Sequence, residues 1–568
     1  MKKRSLIITT QSFDVEEINN SLESNNHLWL QLWPILDSEN KSKFEVVNPT
    51  SYISNSDHKI VSDFITNLSK NWWKTFGFNK ISKEFNIDGL TISQIFSYEL
   101  ELELTKLLFN ILTINKAIRA NKFEKLIFFH SQNSNLHNLY EFYKNTYNCE
   151  IRLISVKSPK KKYHDYLRRV SMFFLKTDLY NRLKIKFFTK KTAKNSIIIS
   201  NSYRCLKNFI LDKSVLNQFY ILNDILFIDK DENKKTLFNS LDKDNRSLLF
   251  DNISIYPFIS IKLQYIENKF HSLNEFYFKL IKLAKICKPK IYITVNMASS
   301  IEIVKIWAFK NAGIRSVHSS EGLGVPNKYI GKELFSVLHP EIDIERWGFS
   351  KQYLNYFDNS SVKIVTGFFD IKKKINYELP KKIITYFLSS PNISTQRAFN
   401  DDDIFELIDS VKDIANAISY FDDYQLIIKI HPGDKYLKPI LKSIIDPRIN
   451  FKIIGNANNF NLIKRSKLII GYNTSMILES LFHNKNVIYY NYTGRSNYTD
   501  SFAKELNSDT EKGTVLIEAK SKSELIEKIR FLISSPENKI KCHGIEEFLQ
   551  NADQNYDRQV MINNLLNE

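Results

Sequence analysis

Cysteine is scarce in this chain of 568 residues: its four cysteines lie far apart and none forms a CxxC pair. The positions are Cys149, Cys205, Cys287 and Cys542. This spacing indicates neither a disulfide framework nor a zinc site built from thiolates. We therefore expect the protein in a reducing compartment, the cytoplasm. With 43% apolar residues the chain can bury the cores of about two or three domains.

Glycine is also rare, with only 14 residues. Neither GxGxxG nor GxxxxGKS/T occurs, which weakens the case for a dinucleotide-dependent dehydrogenase or a P-loop ATPase. Long apolar runs are missing as well, because no uninterrupted stretch approaches the roughly 20 residues of a membrane-spanning helix. The opening MKKRSLIITTQSFDVEE has an apolar run too short for a signal peptide. We expect a protein that is not integral to a membrane.

The net charge of +18 is concentrated in one place. Segment 157–194 holds thirteen Lys or Arg and two acids, a net +11, and mixes these bases with Tyr, Phe, Leu and Met. An amphipathic basic helix of this kind is typical of a surface that lies on anionic lipid, although a core helix with a solvated face would look similar. No nucleic-acid motif accompanies the charge, so we expect an anionic membrane surface as partner and no nucleic acid.

Short β-rich runs alternate with helical stretches along the chain, which predicts an α/β fold with parallel, doubly wound sheets. The pattern restarts after residue 361, so we predict two Rossmann-like domains facing across a cleft. We predict an N-terminal domain at 1–361, which contains the basic segment, and a C-terminal domain at 362–534. A terminal helical segment follows at 535–568.

Two segments of the second domain carry the most chemical information. Each reads as a buried strand that runs into a polar turn and then a helix, and ligands bind where parallel strands end in this way. The first turn holds His431 and Pro432; the second holds Thr474 and Ser475, with Glu479 one helical turn later. Hydroxyl and N–H groups suit a phosphate, and the carboxylate suits a ribose diol, so the pair predicts a nucleotide site. An ordinary turn, a plain helix N-cap and a surface acid are the alternatives for these residues.

Four short motifs give the chain a resemblance to a known superfamily. About 250 residues of the C-terminal half resemble GT-B glycosyltransferases of the surface-polysaccharide type: bacterial sialyl- and polysialyltransferases, capsule Kdo transferases and CDP-glycerol glycerophosphotransferases. The motifs are HSSEGLG at 318–324, a G-x-x-D element at 367–370, the HP dipeptide at 431–432, and the Thr/Ser pair at 474–475.

The resemblance implies a role for each matching residue. His431 would contact the nucleotide phosphate and offset charge on the leaving nucleotide, and Pro432 would fix the turn. Thr474 and Ser475 would donate hydrogen bonds to the same phosphate, and Glu479 would face the ribose.

The family also has a base in the glycine loop. In the sialyltransferase-like members the acid before a glycine is the general base, and here that acid is Glu321, preceding Gly322. The polyol-phosphate transferases use a histidine, which matches His318. The sequence leaves both candidates open, since Ser320 stands where a second acid would be. Transfer of a sugar to a hydroxyl needs such a base, together with stabilisation of the departing phosphate.

The activity implied is inverting, metal-independent transfer of a sugar from a nucleotide donor to a cell-surface glycan or a lipid-linked precursor. The expected location is the cytoplasmic face of the cell membrane. The order of motifs favours a CMP-activated acidic sugar of the sialic acid or Kdo kind as donor, with no further cofactor and no metal. A CDP-polyol phosphotransferase, a sugar-nucleotide 2-epimerase and a silent binding protein are the alternatives.

The basic segment makes a first testable prediction. The protein should sediment with anionic vesicles and not with zwitterionic ones, because each base near an anionic surface contributes about 1 kcal/mol. Changing Lys160, Lys161, Lys162, Arg168 and Arg169 to Glu should release it. Equal binding to both lipids, or none at low salt, would instead support a core helix.

Overall fold

The computed structural model describes most of the chain outside several gaps. The described residues are 5–9, 15–22, 27–32, 42–75, 85–121, 123–130, 139–140, 143–144, 149–155, 196–200, 219–222, 248–251, 253–294, 299–319, 342–348, 354, 362–365, 381–390, 403–483, 485–495 and 516–534. Several predicted features lie outside these residues: the basic segment 157–194, Glu321, Gly322, the element at 367–370 and the terminal segment 535–568.

Within the described residues, the strands fall into three larger sheets and two short hairpins. In the first part of the chain they are β1 (Ser5–Thr9), β2 (His27–Gln31), β3 (Glu45–Val47), β4 (Asn86–Ile87), β5 (Leu90–Thr91), β6 (Lys125–His130) and β7 (Glu150–Ser155). The middle part has β8 (Ile197–Ile199), β9 (Phe219–Ile221), β10 (Leu249–Phe250), β11 (Ile253–Ser254), β12 (Ile291–Thr294), β13 (Arg315–Ser319), β14 (Glu345–Gly348) and β15 (Lys363–Val365). The last part has β16 (Ile383–Phe387), β17 (Gln425–Lys429), β18 (Phe451–Ile454), β19 (Leu468–Gly471), β20 (Asn486–Tyr490) and β21 (Leu516–Ala519).

Helices connect many of these strands. They are α1 (Val15–Asn20), α2 (Asn55–Thr75), α3 (Ile92–Ala120), α4 (Tyr256–Cys287), α5 (Ser300–Asn311), α6 (Ile404–Ile418), α7 (Leu437–Ile444), α8 (Asn459–Arg465), α9 (Met476–Phe482) and α10 (Lys522–Ser534), with a 3₁₀ turn at Pro49–Ser51. None of the described helices carries an apolar stretch long enough to cross a bilayer.

All three larger sheets are parallel, which confirms the α/β class. The first has the order β3-β2-β1-β6-β7, the second β9-β8-β12-β13-β14-β15, and the third β18-β17-β16-β19-β20-β21. In each sheet, strands that follow one another in the chain are first added toward one edge and then toward the other. The change occurs between β1 and β6 in the first sheet, between β8 and β12 in the second, and between β16 and β19 in the third. In open parallel sheets such switch points are where ligands bind.

The region predicted as one N-terminal domain contains two of these sheets. One continuous hydrophobic core nevertheless joins them, since it includes Ile8 and Phe128 of the first sheet and Ile198 and Tyr292 of the second. The predicted boundary at 362 lies just before β15, which pairs with β14 of the second sheet. The division into domains stays a prediction.

Local sequence explains the clearest helix. Helix α3 starts at a capping box formed by Thr91 and Gln94. The side chain of Thr91 accepts from the N–H of Gln94, and Oε1 of Gln94 accepts from the N–H of Thr91 at 2.9 Å. On its buried face, the indole N–H of Trp72 donates to Ser97 Oγ at 2.9 Å.

A carboxyl group is buried on this same helix. Glu101 is 2% exposed, Thr105 Oγ1 donates to its Oε1 at 3.3 Å, and its Oε2 has no hydrogen-bond partner within the described residues. Burial raises the pKa of Glu101 to about 8, and the bond from Thr105 opposes that rise. The folded protein therefore holds a proton here that the unfolded chain releases near pH 4.5.

Glu101 should make stability depend on pH in a defined direction. Between about pH 4.5 and 8 the folded state binds the extra proton, so the free energy of unfolding falls as pH rises. From pH 5 to pH 8 the wild type should lose about 3 kcal/mol more than Glu101→Gln, which cannot ionise. Urea unfolding at both pH values measures this. Glu124→Gln, at an exposed position, is the control, and parallel pH dependence in Glu101→Gln and the wild type would contradict the assignment.

Candidate functional site

Three neighbouring strands of the third sheet end at one level. β16 lies between β17 and β19, and its Phe387 pairs with Lys429 on one side and with Gly471 on the other. Strands in a sheet are about 4.8 Å apart, so the two outer chain ends lie roughly 10 Å from each other. The residues two positions beyond this paired row are His431, Ser389 and Asn473. The structure thus places the two predicted nucleotide turns on either side of the switch point.

His431 opens a tight turn after β17. The N–H of Asp434 donates to the carbonyl of His431 at 2.9 Å, with Pro432 at the second position, where its fixed φ suits the turn. The N–H of Gly433 donates to His431 Nδ1 at 3.2 Å. A Cβ on Gly433 would lie 3.3 Å from that same nitrogen, so glycine leaves room for the ring. The imidazole side chain is 47% exposed at the sheet edge.

A buried carboxylate lies beneath this histidine. Asp434 is 0% exposed, and Ser390 Oγ, from the segment after β16, donates to its Oδ2 at 2.6 Å. The same Oδ2 is 4.0 Å from His431 Nδ1. Within the described residues, Asp434 Oδ1 has no hydrogen-bond partner. Side chains that follow β16 and β17 therefore meet beside the switch point.

The turn after β19 is shaped by close packing. Asn473 adopts a left-handed conformation with φ of 43°, which asparagine tolerates better than most residues. A Cβ on Gly471 would lie 2.8 Å from Ile477 Cγ1, so only glycine lets α9 pack against the strand end. Thr474 Oγ1 accepts from the N–H of Met476 at 3.4 Å.

The predicted phosphate contact at Ser475 is compatible with this geometry. Ser475 is the N-cap residue of α9, is half-buried, and its side chain makes no capping hydrogen bond. Its hydroxyl is thus not engaged in the capping role that was the alternative for this residue. Glu479 lies half-buried on α9.

Two bases near this edge already have partners. Lys429 is buried, and its Nζ donates to the carbonyls of Ile430 at 2.9 Å and Gly455 at 2.8 Å. Arg495, which follows β20, is also buried and forms an ion pair with Glu406 of α6.

This ion pair links the third sheet to the first part of the chain. Arg495 Nη1 donates to Asn55 Oδ1 at the start of α2 and to Glu406 Oε1, each at 2.9 Å. Burial raises the pKa of Glu406, but the bonds and charge of Arg495 outweigh it and hold that pKa below its usual range. Burial, with the charge of Arg495, lowers the pKa of His58 on α2 to about 4.

His318 lies on the second sheet, in the next-to-last position of β13. It is 3% exposed and pairs with Thr294 of β12 and Arg346 of β14, so these three polar residues form a row near the carboxyl edge. Thr294 Oγ1 donates to Glu302 of α5 at 2.9 Å. The position of Glu321, the other candidate base, lies outside the described residues.

Sequence reasoning missed Asp434 and Ser390 at the third sheet and Glu302 at the second. Asp434 could have been identified from the sequence, because an acid three residues after His431 closes the same turn. For Ser390 the sequence offers only its position after a buried strand. Glu302 reads as an ordinary acid in the first turn of a helix, and its burial depends on packing that local sequence does not show.

Comparisons with known proteins give likeness only at the level of solved structures. A scan against family models found no match, and neither did a search of curated proteins. A UDP-GlcNAc 2-epimerase from Neisseria meningitidis bound to UDP-GlcNAc is 15% identical, covering 66% of this chain and 100% of that one, with a TM-score of 0.38. MurG from Acinetobacter baumannii is 9% identical, covering 66% and 100%, with a TM-score of 0.37. The wall teichoic acid polymerase TagF is 12% identical, covering 72% and 98%, with a TM-score of 0.35. Likeness this low does not assign an activity to this chain.

The Arg495–Glu406 pair should matter for stability. Arg495→Ala leaves the Glu406 carboxylate largely buried without its partner, which should cost about 3 kcal/mol in the free energy of unfolding. Arg448→Ala is the matched control, because Arg448 pairs with Asp446 at the surface with 89% of its side chain exposed, and the expected loss of stability is much smaller.

Denaturant unfolding measures both variants. In Arg495→Ala the pKa of His58 should also rise, since a nearby positive charge is gone, and NMR titration of that histidine reports it. Equal costs for the two arginine changes would contradict a role for the buried pair.

Proposed function

We propose that this protein is a glycosyltransferase of the GT-B type, with the third sheet as its nucleotide-donor domain. It transfers a sugar from a nucleotide donor to a cell-surface glycan or a lipid-linked precursor, with inversion and without a metal. The observation that carries the proposal is the arrangement of His431 and Ser475 after strands that flank β16 at one level of the sheet.

These side chains fit the phosphate of a nucleotide. The exposed imidazole of His431 donates a hydrogen bond and, when protonated, offsets negative charge on the leaving nucleotide. The hydroxyls of Thr474 and Ser475 add donors from the other side of the switch point. Glu479, half-buried on α9, accepts from the ribose hydroxyls.

The acceptor side belongs to the preceding sheet. Deprotonation of the attacking hydroxyl needs a base that reaches the cleft. We favour Glu321 for this role, because His318 is buried in β13 and is better suited to shape the edge. His318 remains the alternative base, as in the polyol-phosphate transferases that the motifs resemble.

We favour a CMP-activated acidic sugar as donor, because of the order in which the four motifs occur along the chain. We place the enzyme at the cytoplasmic face of the membrane, held there through segment 157–194.

An assay with and without acceptor distinguishes the transferase from the two alternatives, an epimerase and a silent binding protein. Nucleotide released only when an acceptor is added indicates a transferase, sugar isomerisation without acceptor indicates an epimerase, and binding without turnover indicates a silent protein.

Nucleotide binding tests the site directly. Thermal-shift screening with CMP, CDP, UDP and GDP selects the ligand, and calorimetry then measures its affinity. His431→Ala, and the double change Thr474→Ala with Ser475→Ala, should each weaken binding by at least about tenfold, because a lost hydrogen bond to a charged group costs about 1.5–3 kcal/mol. Ser443→Ala, an exposed hydroxyl on α7, is the control and should bind normally.

Unchanged affinity in both site variants would overturn the assignment of this edge. Wild-type protein that binds none of the four nucleotides would overturn the proposed function as a whole.

A further inference from the structure

Asp434 lies beneath His431 and is not among the residues proposed to contact the phosphate. It is completely buried, yet one of its two carboxylate oxygens, Oδ1, has no hydrogen-bond partner within the described residues. Buried carboxylate oxygens are normally bonded, so an oxygen left open calls for an explanation. The other oxygen of this carboxylate, Oδ2, faces Nδ1 of His431, a group that gains and loses a proton near neutral pH.

The present hydrogen bonds define the state of the ring. His431 Nδ1 accepts from the N–H of Gly433, so in this arrangement Nδ1 carries no proton and the neutral ring carries its proton on Nε2. Asp434 Oδ2 is 4.0 Å away, just beyond hydrogen-bond range. A ring protonated at both nitrogens could no longer accept from Gly433. Asp434 is then placed to accept from Nδ1 after a small rotation of the ring.

Ser390 keeps the carboxylate in position for this contact. Its hydroxyl donates to Asp434 Oδ2 from the segment that follows β16, while Asp434 itself follows β17. The carboxylate is therefore fixed from two strand ends, and the ring above it is half exposed. A fixed anion beneath an exposed imidazole favours the protonated ring when a second anion approaches from the cleft.

We propose that Asp434 is the positioning residue of His431. When an anionic group occupies the sheet edge, the imidazole takes a second proton from solvent, Nδ1–H donates to Asp434, and Nε2–H donates to that anionic group. The inference rests on the proposed function, since it takes the anion to be the phosphate of the donor nucleotide. It adds that Asp434 acts on the ligand only through His431.

A double-mutant cycle tests this dependence. The probe is whichever of CMP, CDP, UDP and GDP gives the largest thermal shift with the wild type. Asp434→Asn, which keeps the shape and removes the charge, should weaken binding of that nucleotide about tenfold. In a His431→Ala background the same change should have no further effect. Asp422→Asn is the control, because Asp422 is exposed before β17, at the opposite end of that strand.

Histidine NMR supplies a second readout that needs no change at Asp434. With nucleotide bound, the wild-type imidazole of His431, identified by its loss in His431→Ala, should show both nitrogens protonated. A bound complex in which only Nε2 is protonated would overturn the proposal, whether or not Asp434→Asn folds.

The binding measurements can also overturn the proposal. Wild-type affinity in Asp434→Asn, or a loss of the same size with and without His431, would show that Asp434 does not act through the histidine, while leaving the nucleotide site intact. Absence of nucleotide binding by the wild type would remove the proposed function, and this inference with it.

Discussion

In-register parallel pairing of β17, β16 and β19 is the constraint on which the candidate site depends. Because Lys429, Phe387 and Gly471 are paired in one row, the residues that follow them leave the sheet at the same level. A slip of one residue in either pairing would exchange the two buried faces of a strand and misplace the side chains that pack on each, so the hydrophobic core enforces this alignment. The chemistry at the edge is thus positioned by the packing of Leu, Ile and Tyr residues beneath it.

Two glycines let the chain exploit that alignment. Gly471 allows α9 to pack directly against the end of β19, and Gly433 allows the imidazole of His431 to lie over its own turn. Neither glycine belongs to a glycine-rich phosphate loop. The same edge also receives the start of α2, through the bonds of Arg495 and Thr493 with Asn55. The first part of the chain therefore contacts the edge that carries the candidate site.

The sequence predicted the fold where strands are continuously apolar. The runs at β16, β17, β19 and β20 are nearly all buried and were recognisable without the structure. β2 and β3 were not predicted: β3 spans only Glu45–Val47 and none of its residues is fully buried. That the N-terminal region holds two sheets around one core could not be predicted, because the core is assembled by contacts between residues far apart in the chain. At the site, His431 and Ser475 were predicted from their turns, whereas the contact of Ser390 with Asp434 joins segments 44 residues apart.

A crystal structure of the protein with its nucleotide bound would test the candidate donor site most directly. We expect the phosphate to lie between His431 and Ser475 at the carboxyl edge of the third sheet, with the ribose beside Glu479. A nucleotide bound at the edge of the second sheet, beside His318, would contradict it, because the donor and acceptor sides would then be exchanged.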